Sequence, residues 1–179
     1  VLIAVPALAL VVARAFDLAR PVEIGILLMA ISPGAPVALR RSIGAGGHHS
    51  FAPALQILVA VLAVVSMPVW IALLNEVYAG HATIDPTQLA RQVFTGPKIV
   101  LAIATVSALA LAVGHLLGGP DPATRTAVAI SSAIRNPGLA LLVATLNAAP
   151  PEITATVLAY LIVSAVAVIP YVAWRRRRP

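Results

Sequence analysis

Two short stretches decide how this chain folds: ISPGAP, Ile31 to Pro36, and SSAIRNPG, Ser131 to Gly138. Each puts proline and glycine inside a segment otherwise greasy enough to lie in a bilayer. Proline removes a backbone donor and clashes with the preceding turn, and glycine adds freedom the helix must give up. A helix therefore breaks at both places and leaves carbonyls and amides without partners. Lipid cannot satisfy them, so a broken span persists only where protein buries it or a polar cavity wets it. Paired breaks in the two halves of a hydrophobic chain point to the central site of a transporter.

The surroundings support a membrane location. The chain is 60% hydrophobic and only 10% charged, whereas soluble domains carry about a quarter charged residues. Phe51 to Asn75, Ile99 to Pro120 and Ile153 to Trp174 each run without a charge, and roughly 20 apolar residues suffice to span. The expected architecture is an all-α integral membrane bundle with two broken, crossing helices. It forms a single transmembrane domain over residues 1–179, with spans near 1–16, 22–43, 51–78, 97–117, 126–147 and 153–174. Pro68 is expected to kink the third span, and residues Pro86 to Phe94 to form a short interfacial helix. Val1 already lies in an apolar run, so a fragment truncated at its N-terminus is expected.

The net charge is +6. Four of the cations form the run Arg175 to Arg178 directly after a span, which reads as a cytoplasmic anchor on anionic lipid rather than a nucleic-acid surface. Alternation then puts Arg40-Arg41 and Arg125 on that side. Glu76, Asp85 and Glu152 fall on the other, with Arg14, Arg20, Arg91 and Lys98. A bacterial inner membrane with the C-terminus cytoplasmic is the expected location. The absence of cysteine excludes disulfides, thiolate metal sites and cysteine nucleophiles.

The run IGILLMAISPGAPVALRRS resembles the fourth helix of the bile acid:sodium symporter family, in which a small-residue helix meets Pro-Gly-Gly-Thr and continues as a second half-helix. The run RTAVAISSAIRNPGLALLVATLN resembles that family's ninth helix. Asn136, Gly138, Leu139 and Ala140 match its pattern directly, and Arg125-Thr126 lies at nearly the family spacing. The resemblance implies a partial inverted-repeat fold whose fourth and ninth helices cross at their unwound centres. Two helices would be absent at the start, and two more between Ile84 and Arg125. It also implies a secondary transporter, with substrate at the crossing and two subdomains rocking around it.

The departures from the family pattern concern sodium. Family members bind it through a Ser-Asn pair after the fourth-helix glycines, fifth-helix hydroxyls, and a ninth-helix Glu and Gln. Here the pair aligns with Ala38 and Leu39, the Glu with Ser131 and the Gln with Arg135. Gln56 is the sole polar side chain from Phe51 to Val65. A guanidinium at 135 would repel a neighbouring cation, so sodium coupling is expected to be lost.

Arg135 is the only charge between Arg125 and Glu152, and an ionised residue deep in a span is a functional candidate by default. It could occupy the place of the missing ion and hold the crossing carbonyls, or contact an anionic substrate. The bland alternative is snorkelling or structural pairing. Asn136, Ser131, Ser132 and Ser32 are the accompanying substrate-binding candidates, against serines bonding back to their own helix. Pro33, Gly34, Pro36, Pro137 and Gly138 shape the breaks. His48-His49 lack a third ligand, His115 reads as a packing histidine, and no metal site or cofactor is expected.

The function expected is transport of a small organic or amphipathic anion, with no nucleic-acid partner. The alternative is a non-transporting membrane remnant or structural bundle. An enzyme is disfavoured because Ser32 and Ser131 have no His or Asp at matching depth. Arsenite carriers share the fold but rely on a fourth-helix thiol that this chain lacks.

Overall fold

The computed structural model describes residues 1–78 and 96–177. The expected interfacial helix at Pro86 to Phe94, with Asp85 and Arg91, lies outside the described residues. The helices in chain order are α1 Ala4–Ala15, α2 Arg20–Ile31, α3 Pro36–Gly44, α4 Phe51–Tyr78, α5 Pro97–Leu117, α6 Pro122–Ala133, α7 Pro137–Leu146, α8 Pro151–Ala167 and α9 Ile169–Arg176. No strand occurs among the described residues. Both segments follow one plan: an unbroken helix (α1, α5), a broken one (α2/α3, α6/α7), then a long proline-bearing one (α4, α8/α9).

Among the described residues three stretches are long and apolar enough to cross a membrane: Phe51–Leu74, Pro97–Leu117 and Pro151–Arg176. The half-helices α2 and α6 have 12 residues each. That is about 18 Å of helix, short of the roughly 30 Å hydrocarbon core. Each therefore needs its continuation across the break to complete a crossing. On α4 the outward residues are large and apolar, Val61 being 61% and Val64 74% exposed. Water would penalise such a belt, and lipid accommodates it.

The helix boundaries have local causes. Pro68 sits inside α4, which runs on through it as one helix. The last span is divided at Val168, where Pro170 has no N–H to continue the ladder. The helix that leads into the second break, α6, begins at Pro122, where Asp121 caps it by accepting from the Thr124 amide at 2.7 Å.

The helices pack through small residues. A Cβ on Gly25 of α2 would come within 2.5 Å of Thr156 Cβ on α8, so the two backbones approach as only glycine allows. Long-range contacts also fix which loops share an end. Arg41 Nη1 donates to Ala165 O at 2.8 Å, Arg176 Nε to Gly44 O at 2.9 Å, and His48 N to Ala123 O at 3.3 Å. Arg41, Arg125 and Arg175 to Arg177 thus gather at one end. At the other, Lys98 Nζ donates to Asp17 O at 3.1 Å, and Arg14 approaches Glu23 at 3.8 Å.

Candidate functional site at the helix crossing

The two breaks meet. Ser32, Ala35, Ile134 and Asn136 all adopt extended backbone, and the free groups of one break pair with those of the other. Asn136 N donates to Pro33 O at 2.9 Å, and Ala35 N donates to Ile134 O at 3.2 Å. Gly34 and Arg135 therefore face each other in an isolated antiparallel bridge. Pro36 and Pro137 each open the next half-helix, where a missing N–H costs nothing. Gly34 is required by close approach: a Cβ there would lie 3.1 Å from Gln56 Oε1 and 3.2 Å from Ser131 O.

Arg135 is 1% exposed, so it does not snorkel. Its Nη1 donates to Ser32 O, in the opposite break, at 3.0 Å, and its Nη2 donates to Val1 O at 3.3 Å. Its Nε is buried without a partner. Among the described residues no carboxylate forms an ion pair with it. Nearby, the fully buried Tyr160 of α8 lies within the electrostatic reach of Arg135 and beside Ser107. The Ser107 hydroxyl itself donates to Ile103 O at 2.9 Å. Burying a polar group unpaired costs roughly 1–3 kcal/mol, more when charged, so the Arg135 Nε calls for a partner or a role.

The other candidates are placed less suggestively. The Ser32 hydroxyl donates to Leu28 O at 2.7 Å and that of Ser132 to Val128 O at 2.8 Å, each back into its own helix. Ser131 is buried with its carbonyl against Gly34. Asn136 Oδ1 accepts from Leu139 N at 3.3 Å and so caps α7, with Gly138 tucked under that oxygen. The backbones thus converge as expected, while most side-chain polar atoms serve their own helices.

One residue at the crossing was missed as a candidate. Gln56 reaches from α4 and its Nε2 donates to Gly34 O. The available signal was its isolation: a single amide in a long charge-free run must find a partner inside the bundle. Of the positions aligned with the family's sodium ligands, Ala38 is fully buried and offers no side-chain oxygen. His48 Nδ1 accepts from Phe51 N at 3.2 Å at the start of α4, and His115 pairs with Tyr171.

Comparison with known proteins bears on the first of the two breaks. The family model described as the Sodium Bile acid symporter family matches residues 2–103, more than half of the chain. The match takes in α1 to α4 and the ISPGAP break, and ends within α5. The second break and Arg135 lie beyond it. No curated protein matches the chain.

Proposed function

The chain belongs to the sodium bile acid symporter family, a family of transporters, and from that premise we propose that it is a secondary transporter of a small organic or amphipathic anion. The observation that carries the reading is the Arg135 guanidinium, buried at the crossing with an unpaired Nε and, among the described residues, no carboxylate paired with it. An uncompensated cation at membrane depth favours an anion and disfavours sodium. In this reading Arg135 stands where the family's ion would sit and holds the Ser32 carbonyl as the ion would. Sodium coupling is lost with it. Substrate would approach along an apolar groove of ≈ 230 Å³ that includes Ile24, Leu28, Val143, Ala144 and Asn147. Leu28 lies one turn from the break, so this groove suits the apolar body of an amphipathic anion.

On this reading the described helices form one membrane domain, in which Asn136 and the three serines contribute mainly by holding backbone. The chain catalyses no reaction, and its arginine-rich end faces the cytoplasm of a bacterial cell. One observation favours the alternative of a non-transporting bundle: the Ser32 and Ser132 hydroxyls and the Asn136 side chain are all engaged within their own helices.

Uptake by purified protein in proteoliposomes separates the two readings. With a panel of mono- and dicarboxylates and steroid conjugates, the wild-type chain accumulates at least one, and Arg135→Gln lowers that uptake at least tenfold. Arg135→Lys also lowers it, because a point charge does not reproduce the planar fork. Unchanged kinetics in Arg135→Gln would refute the role of the guanidinium. A wild-type chain inert toward the whole panel would favour the structural bundle.

A further inference from the structure

At the arginine-rich end, the division of the last span at Val168 opens a groove of ≈ 360 Å³ between α5 and the α8–α9 junction. That is room for about a dozen water-sized groups. Its floor is methyl groups, from Ala108, Ala112 and Ala167, and its rim is His115, Tyr171 and Trp174. The three rings form a cluster with centroids 5.7 to 5.8 Å apart. His115 Nδ1 and the Tyr171 hydroxyl are 2.8 Å apart. Apolar floor and amphipathic rim match the boundary between hydrocarbon and headgroups.

The charge beyond the rim is one-sided. Arg175 stacks over Trp174 at 5.5 Å from the ring centroid, and Arg125 and Arg175 both act electrostatically on His115. Arg176 and Arg177 follow on the exposed last turn. The acid at this end, Asp121, is engaged by the Thr124 amide and hydroxyl. We propose that this groove binds an anionic phospholipid, one acyl chain lying along the alanine floor and the phosphate held among His115 and the arginines. A neutral lipid fills the floor equally well but brings no charge to these cations, whose own bonds go to neutral acceptors, Arg175 to Thr126 Oγ1 and Pro122 O and Arg176 to Gly44 O, so headgroup charge is what the site selects. The inference stands apart from the transport reading, since none of these residues touches the crossing.

The chain has two tryptophans, Trp70 and Trp174, so Trp70→Phe leaves Trp174 as a single reporter. Nanodiscs of phosphatidylcholine are doped with phosphatidylglycerol carrying brominated acyl chains, or with brominated phosphatidylcholine at equal mole fraction. The expected result is stronger quenching by the anionic lipid, with the preference falling about fivefold in Arg177→Gln, the weight of one interfacial arginine. Ala112→Leu fills the floor and lowers quenching by the anionic lipid to the level given by the neutral one, so that the preference is lost. Equal quenching by the two lipids, or a preference untouched by Arg177→Gln combined with Arg125→Gln, would overturn the proposal. So would a preference that survives undiminished in Ala112→Leu, because the cations would then be gathering lipid without a site.

Discussion

Gly34 and Arg135, about a hundred residues apart in the chain, lie opposite one another in an antiparallel bridge between two interrupted helices. The pairing explains how unwound backbone survives in a span. Pro33 O and Ile134 O, which would otherwise be orphaned in an apolar medium, accept from Asn136 N and Ala35 N. Each break is the hydrogen-bond partner that the other needs.

Gln56 braces this bridge from α4 through the Gly34 carbonyl. Gln56→Leu removes the donor and leaves that carbonyl short of a partner, at a cost of about 1 kcal/mol. Thermal unfolding in detergent is expected to shift down, and Gln56→Asn, one methylene shorter, does not restore it. An unshifted transition would mean that the amide does not support the crossing.

Asn136 separates capping from substrate contact. Asn136→Ala loses the cap on α7 and destabilises by about 1 kcal/mol, whereas Asn136→Ser retains most of it. If the residue acts only through the backbone, Asn136→Ser also keeps uptake near the wild-type rate. A stable Asn136→Ser variant that no longer transports would instead place the amide on the substrate.

The approach of α2 to α8 at Gly25 leaves no space for a methyl group beside Thr156. Gly25→Ala is expected to destabilise by about 1–3 kcal/mol through overpacking. Pairing it with Thr156→Gly should recover part of the loss, as measured by denaturation midpoints. Gly25→Ala without any loss would show that the two helices separate readily.

Hydrogen bonds from the Thr124 hydroxyl and backbone hold the Asp121 carboxyl below its ordinary value. A depressed carboxylate contributes stability that is present above the unfolded value, about 3.9, and lost as pH falls through the lower folded one. The stability difference between wild type and Asp121→Ala is therefore expected to stay constant from neutral pH to about pH 5 and to vanish only in stronger acid. A difference already gone at pH 5 would contradict the capping geometry.

Much of this arrangement was legible in the residues. Pro33-Gly34 and Pro137-Gly138 announce the breaks, because no apolar medium tolerates them unpartnered, and the charge-free runs announce the spans. Arg135, the only charge between Arg125 and Glu152, marked the centre. The direction of the hydroxyls was not legible: Ser32 and Ser132 could face the crossing or their own helices, and the nearest carbonyls, Leu28 O and Val128 O, took them. Nor was the partnership of Gln56 with Gly34, which depends on how α4 rotates against the break. Periodicity cannot specify that rotation in a helix with apolar residues all around.

The central claim is that a guanidinium stands in for the family's sodium. Uptake of a transported anion into proteoliposomes, compared in sodium-containing and sodium-free potassium or choline media at matched ionic strength, tests it most directly. The account predicts equal initial rates in the three media and at least a tenfold loss in Arg135→Gln. Uptake that requires sodium in the wild-type chain would contradict it.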